Sequence, residues 1–491
     1  MSSGHATSQV DARPREVFSR NIAASLSELA ARRPGQQAVV LPARAGRGAT
    51  ATWSYAELEQ RSAALAAGLE SIDVLRGSRC VLMVPPSLEF FGLVFALFRA
   101  GIVPVVVDPG IGLRNLKLCL GEAKPSSFIG VPKANAARSL LGWARDTIRT
   151  VVTTGRARLG RGFTLREVES RGAAAPTRAP VSPEVEETAA ILFTSGSTGP
   201  PKGAVYTHAN FLAQISALRA IYSIEPGEID LCTFPLFALF APALGMTAVV
   251  PDMDPMRPAR ADPERLLRTA RDFGATNFFG SPALIRNVGR FASENQFAVP
   301  TLRRAISAGA PVPAGAIERF LAALPRGAQV FTPYGATEAL PVASIGSQEI
   351  LGETRSLTDA GRGICVGRAA GDIEIEIIRV SDEPIPTWSP ELRAKEGEVG
   401  EIAVRGAVVT RDYFGRPRRQ GSQRSVPRVA STIAWATWGG GTSRAASGFA
   451  VANRNAWRPR PAFSTRSRAR RSSTRTHESP ARRWSAFAGQ G

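Results

Sequence analysis

The chain has 491 residues, 44% hydrophobic and 21% charged, globular values for a protein too long for one ordinary domain. Four scattered cysteines (Cys80, Cys119, Cys232 and Cys365), with no C-x-x-C pair, argue against a disulfide framework or a zinc site and suit a reducing cytoplasm. The net charge is +20, but residues 418–491 carry +14 of it, so the basicity that would suggest nucleic acid belongs mostly to the tail.

In chain order, residues 1–19 are polar, with no apolar run of signal-peptide length, and are expected to be disordered. Val17–Arg32 has helical apolar spacing and ends near Pro34. Ala38–Leu41 reads as a strand. Tyr55–Leu69 reads as a helix begun by Ser54, a natural N-cap. Cys80–Val84, Ile102–Val107 and Phe128–Val131 read as strands, alternating with helices at Leu88–Phe98 and Leu113–Ala123. Arg156–Ser182, rich in Arg, Gly, Ala and Pro, is expected to loop out. A second alternating series runs from Ala189 to about Ile345, and Asp372–Arg379 with Glu401–Arg405 is more β-like. No internal repeat stands out. The expected fold is α/β: two alternating parallel sheets flanked by helices, then a smaller β-rich subdomain. The apolar stretches Phe90–Phe98 and Leu236–Val250 fall short of the roughly 18 residues that a spanning helix needs, so a soluble protein is expected.

Ala189–Thr194 reads as a buried strand running into Ser195-Gly196-Ser197-Thr198-Gly199-Pro200-Pro201-Lys202-Gly203. Small residues let backbone N–H groups approach phosphates. Thr194, Ser195, Ser197 and Thr198 add hydroxyls, and Lys202 adds a mobile positive charge. The spacing is not that of a Walker A loop. A flexible surface loop is the plain alternative, but a linker needs no buried strand, four hydroxyls and one lysine together. His208 follows closely; a lone histidine at a helix start is more often structural than catalytic.

The segment Thr194–Gly203 resembles the signature loop of the adenylate-forming superfamily, which contains acyl-CoA synthetases, peptide-synthetase adenylation domains and luciferases. Further matches follow in order. Ser307-Ala308-Gly309-Ala310-Pro311 resembles the adenine-flanking loop, Tyr334-Gly335-Ala336-Thr337-Glu338 the second signature, and Glu398-Val399-Gly400-Glu401-Ile402 the motif closing the large domain. The resemblance covers roughly residues 20–416, the expected large AMP-binding domain. It implies ATP and Mg²⁺ as cofactors. Lys202, Thr337 and Glu338 would be catalytic, with Tyr334 on adenine, Thr337 on the α-phosphate and Glu338 on the metal. Thr194 to Gly199, Ala308, Gly309, Ala310 and Gly335 would complete the nucleotide site. Taken singly, Tyr334 reads as a core aromatic, Glu338 as a solvated acid and Ala308–Ala310 as a tight turn. It is their company that points to a polyphosphate site.

Val84–Phe91, Asp108-Pro109-Gly110, Phe234–Gly245 and Phe278–Ala283 look closer to the branch of olefin β-lactone synthetases. That likeness implies a 2-alkyl-3-hydroxy fatty acid as substrate, with Phe234, Phe237 and Ala238 in its binding region, and other olefin-biosynthesis enzymes as partners. Ordinary core packing is the plain alternative for these apolar residues. An acyl-CoA or acyl-AMP ligase is the alternative enzyme, and a basic nucleic-acid-binding protein the alternative of another class, resting on the tail alone.

From about residue 417 the pattern changes. Residues 418–491 hold 15 Arg and four of the seven Trp but no Leu, Lys, Tyr, Met, Cys or Asp, and are expected to be disordered. The family's small C-terminal domain with its lysine, and the Gly-Asp segment that holds ribose, match no residue here. The tail reads as a frame-shifted translation that impairs the enzyme. Trp has one codon, and Ala434–Gly439 read in another frame encodes a set that includes Met-Gly-Asp-Val-Gly. An evolved anion-binding tail is the rival reading.

Overall fold

The computed structural model describes residues 21–415 and 428–429, apart from 44–48, 156–161, 177, 195–200, 235–238, 382–384, 386–387 and 396. The expected N-terminal disorder, and the tail from 417 onward except 428–429, lie outside the described residues. All described residues belong to the compact unit Met1–Asn453.

Two large sheets form, as expected from the alternation. The first has seven strands in the order Phe163–Thr164, Thr150–Thr153, Ser127–Gly130, Arg79–Met83, Val103–Val107, Thr188–Thr194 and Lys202–Thr207. All neighbours are parallel except the last pair. The second has nine: Arg368–Ala369, Ala339–Gly346, Gln329–Ala336, Arg304–Ile306, Asn277–Phe279, Ile229–Cys232, Thr247–Val249, Gln37–Leu41 and Ala51–Ser54. Its five central pairings are parallel. A small sheet pairs Glu374–Arg379 with Gly400–Arg405, against which Arg428–Val429 adds two residues.

The helix Leu88–Ala100 shows why the sheets stack as they do. Between Glu89 and Arg99 it is apolar all round, and Phe90 to Ala100 are buried, Arg99 being paired with Glu59; this is the pattern of a helix enclosed on every side. It shares one core cluster with Val39, Ala248 and Phe279 of the second sheet and Leu82, Ile129 and Val152 of the first. Ser87 caps its start by accepting from the Phe90 N–H, and Gly101, at φ 66°, ends it.

Two expectations are corrected. Within Arg156–Ser182 a strand, Phe163–Thr164, and a helix, Leu165–Ala173, are present. Thr164 and Glu167 form a capping box, and Leu165 and Val168 bury the helix's apolar face. The chain also contains a structural duplication. Strands Arg79–Met83, Val103–Val107, Ser127–Gly130 and Thr150–Thr153 are arranged like Ile229–Cys232, Thr247–Val249, Asn277–Phe279 and Arg304–Ile306, each set with its first strand between the second and third. Both third strands run into Phe-x-Gly-x-Pro, at Phe128–Pro132 and Phe278–Pro282. In both, a Cβ on the glycine would lie 2.7 Å from its own phenylalanine ring.

Candidate active site

In open α/β sheets, ligands collect beyond the carboxyl ends of parallel strands, and the expected site residues stand there. Strand Thr188–Thr194 leads into residues 195–200, so Ser195, Gly196, Ser197, Thr198 and Gly199 lie outside the described residues. The return strand starts at Lys202, in register with Thr194. The register alone therefore brings the lysine back to the mouth of the loop, whatever path the loop takes.

In the second sheet, strand Gln329–Ala336 is followed by Ala339–Gly346, with Ala336 opposite Ala339. Thr337 and Glu338 are thus the two residues of a tight hairpin turn. Gly335 is explained by packing: a Cβ there would sit 2.5 Å from the Ala339 carbonyl oxygen and 2.7 Å from Leu340 Cδ1. The hairpin's close approach is by itself enough to require glycine there. Tyr334 is partly buried against the cluster around Ala339, Val342 and Val404, and burial pushes its phenol well above the ordinary value, so it presents a neutral ring.

Ala308, Gly309 and Ala310 follow strand Arg304–Ile306, the parallel neighbour of Tyr334's strand. The Ser307 N–H donates to the Phe331 carbonyl, 2.9 Å. Gly309 has φ +95°, the left-handed turn that favours glycine. Phe234 follows strand Ile229–Cys232, is 41% exposed, and lies 6.3 Å from the Phe279 ring. Phe237 and Ala238 are outside the described residues.

The two hairpins meet. The Tyr206 hydroxyl, on Lys202's strand, donates to the Thr337 carbonyl. A segment missed as functional in the sequence, residues 406–415, crosses both. Its Val409 bridges Ala339 and its Tyr413 bridges Ala204. The Thr410 N–H and hydroxyl both donate to the Glu338 carbonyl, at 2.8 and 3.1 Å. The Tyr413 hydroxyl donates to Glu338 Oε1 at 2.7 Å, and Lys202 Nζ stands 5.2 Å from the Tyr413 ring centroid. Lys202, Thr337 and Glu338, expected to work together, are drawn to one place through these contacts. Tyr413 is 75 residues from Glu338, and no local pattern announces such a contact.

His208 is buried, its ring 5.8 Å from Phe98. Its Nδ1 accepts from the Ile22 N–H at 3.4 Å, and burial lowers its pKa to about 4. A neutral histidine inside the core serves the fold, as its lone position suggested.

Among the described residues no group of three or more His, Cys, Asp or Glu side chains could hold a metal. Glu338, in the turn after strand Gln329–Ala336, offers a hard carboxylate. That donor set fits Mg²⁺, which takes one or two protein carboxylates and completes its octahedron with phosphate oxygens and water.

Comparison with known proteins agrees with this geometry. The chain is 51% identical over 402 residues, 81% of its length and 71% of the relative's, to an olefin beta-lactone synthetase of Xanthomonas campestris pv. campestris. It is 50% identical over 403 residues, with 81% and 72% covered, to an olefin beta-lactone synthetase of Stenotrophomonas maltophilia. Its fold matches the N-terminal domain of FACL13 from Mycobacterium tuberculosis, solved with an inhibitor, at a TM-score of 0.66 and 19% identity, covering 84% of this chain and 95% of that one. Residues 26–414 match the AMP-binding enzyme family, and the chain belongs to that family.

Proposed function

We propose that this AMP-binding enzyme activates a 2-alkyl-3-hydroxy fatty acid with ATP and closes the acyl-adenylate to a β-lactone. The observation that carries the reading is identity at half of all aligned positions, over four-fifths of the chain, to two proteins named as olefin beta-lactone synthetases. The large AMP-binding domain in this reading spans about 20–416.

The substrate carboxylate attacks the α-phosphorus of ATP, and the bond to pyrophosphate breaks. The substrate's 3-hydroxyl oxygen then attacks the activated carbonyl, losing its proton, and AMP leaves with the electron pair of the acyl–phosphate bond. Because the nucleophile belongs to the same molecule, holding the chain in place substitutes for binding a second reactant. Lys202 would offset charge on the polyphosphate, and the Thr337 hydroxyl would contact the α-phosphate. Tyr334 offers its ring to adenine. Phe234, with Phe237 and Ala238, would line the acyl side. Mg²⁺, when held by Glu338, supplies charge neutralisation on the phosphate oxygens. These are electrostatic and positional contributions, the kind that dominate phosphoryl chemistry. No helix among the described residues is long and apolar enough to cross a membrane. We place the enzyme in the cytoplasm, beside other enzymes of olefin biosynthesis.

The test supplies a 2-alkyl-3-hydroxy fatty acid, ATP and Mg²⁺ without coenzyme A and looks for AMP and lactone by mass spectrometry. Product that forms only when coenzyme A is added would replace the reading with an acyl-CoA ligase. In a relative with an intact C-terminal portion, the substitutions equivalent to Lys202→Ala and Glu338→Ala should each lower pyrophosphate release by about one to three orders of magnitude, the size seen when one electrostatic donor is removed. Unchanged release in either variant removes that residue from the catalytic set.

A further inference from the structure

The segment 406–415 is held by its backbone on both sides of Tyr413. Val205 N–H donates to the Asp412 carbonyl at 3.0 Å, and Phe414 N–H donates to the Gly203 carbonyl at 2.8 Å. Asn210 Nδ2 donates to the carbonyls of Ala407 and Val409, at 2.8 and 3.2 Å. The Phe414 ring packs against the core beside Arg79, whose guanidinium lies 5.3 Å from it. Tyr413 therefore has little freedom in where it places its ring. Its hydroxyl lies on Glu338, and its face lies under Lys202.

Lys202 and Glu338 carry opposite charges at the ends of two adjoining hairpins, yet form no ion pair with each other, although ion pairs are frequent elsewhere among the described residues. The Tyr413 side chain stands with both, its hydroxyl on Glu338 and its ring face toward Lys202. A cation rests comfortably on an aromatic face, and a carboxylate accepting a phenol hydrogen bond keeps its charge and its orientation. We infer that Tyr413 is a positioning residue: it aims the Glu338 carboxylate at the phosphate site, leaves Oε2 for a metal, and keeps Lys202 and Glu338 from neutralising each other. Plain packing would require only the ring and would be indifferent to the hydroxyl. The inference rests on the nucleotide-site reading given above.

The experiment measures ATP binding to the full chain by calorimetry as a function of Mg²⁺ concentration. Tyr413→Phe keeps the ring and removes the hydroxyl. It should raise the half-saturating Mg²⁺ concentration about three- to tenfold, the scale of one ordinary hydrogen bond's net contribution. ATP affinity at saturating Mg²⁺ should change less. Tyr413→Ala removes the ring too and should weaken ATP binding even at saturating Mg²⁺, because Lys202 can then pair with Glu338. Adding Glu338→Gln to Tyr413→Ala should restore Mg²⁺-independent ATP binding. A Tyr413→Phe curve that overlays the parent's, while Glu338→Gln still shifts it, overturns the positioning role alone. A lowered melting temperature in Tyr413→Ala with an unmoved Mg²⁺ curve does the same. If the parent chain binds no ATP in the presence of Mg²⁺, the nucleotide-site reading fails and takes the inference with it.

Discussion

The two duplicated halves share a topology and differ in what they bury at the same row of the sheet. In the first half, neighbouring strands align Cys80, Ser127 and Thr150. In the second, the matching row is Asp230, Asn277 and Arg304. The first row is neutral, and burial pushes the Cys80 thiol up to about 12. The second row is the start of a charged network. Arg304 makes a bidentate pair with Glu228, at 2.7 and 3.0 Å, both residues being buried. Burial would raise the Glu228 carboxyl, but the Arg304 hydrogen bonds and charge hold it below the usual carboxylate range. Asp230 accepts from Asn277 Nδ2 and, at 3.0 Å, from Cys232 Sγ; burial nonetheless raises its pKa. One topology thus tolerates either chemistry at this row. Strand order is set by the apolar rows and the helical crossovers, and the residues of this polar row differ between the halves without changing it.

The largest effect expected from this difference is at Arg304. Arg304→Met removes the buried, bidentate partner of Glu228 and leaves it only the exposed Arg303, 3.7 Å away, which should cost about 3 kcal/mol of stability. Thr150→Val, at the matching place in the first half, should cost about 1 kcal/mol or less, as expected where no special mechanism is lost. Urea unfolding of both variants reads the contrast. Equal losses would show that the charged row is not what distinguishes the halves.

A sharper comparison uses the shared Phe-x-Gly-x-Pro turns. In both, an added Cβ meets the same ring atom at the same distance, so Gly130→Ala and Gly280→Ala should each cost about 1–3 kcal/mol through overpacking. They should not be equal. Phe278 is fully buried and stands edge-on to Phe320 at 5.3 Å, so its ring has a second aromatic to displace. Phe128, also buried, has the Arg138 guanidinium 5.8 Å from its face, and a long side chain yields more readily than a packed ring. Gly280→Ala should therefore melt at a lower temperature than Gly130→Ala. The reverse order would mean that the environment of the first turn is the stiffer one.

The same contrasts explain what could be read in the sequence. Helix Leu113–Ala123 and the Ser54 cap of the helix beginning at Tyr55 were legible because local spacing and one side chain specify them. The duplication was not, because its matching rows share no residue type and only the turn survives as a pattern. Lys202, Thr337 and Glu338 were legible as a set because each sits beside a hairpin turn with a recognisable sequence. Tyr413 was not, since its role comes from a strap whose hydrogen bonds span 72 to 211 residues of chain, from Thr410–Glu338 to Phe414–Gly203. Gly335 was legible as special, but the Ala339 carbonyl that crowds it is visible only in three dimensions.

The halves also part company after their fourth strands. The second continues through helix Ala314–Phe320 into the long strand that carries Tyr334. The first ends in the two-residue strand Phe163–Thr164 and then helix Leu165–Ala173, which packs on helix Tyr55–Glu70 so closely that a Cβ at Gly172 would lie 1.7 Å from the Ala64 carbonyl oxygen. Composition hid this helix, and its capping box is what starts it: the Thr164 hydroxyl accepts from the Glu167 N–H at 3.2 Å, and Glu167 Oε2 accepts from the Thr164 N–H at 2.7 Å. Thr164→Ala should cost about 1 kcal/mol, the usual loss for an N-cap hydroxyl, with Thr164→Ser close to the parent. The effect should be small because the buried Leu165 and Val168, and the backbone contact at Gly172, hold the helix in place once formed. Hydrogen exchange at the Glu167 amide should speed up in Thr164→Ala while the amides nearest Gly172 keep their protection. Loss of protection along the whole helix would show instead that docking depends on the cap, and that this addition to the first half is held by its first turn and not by its glycine contact.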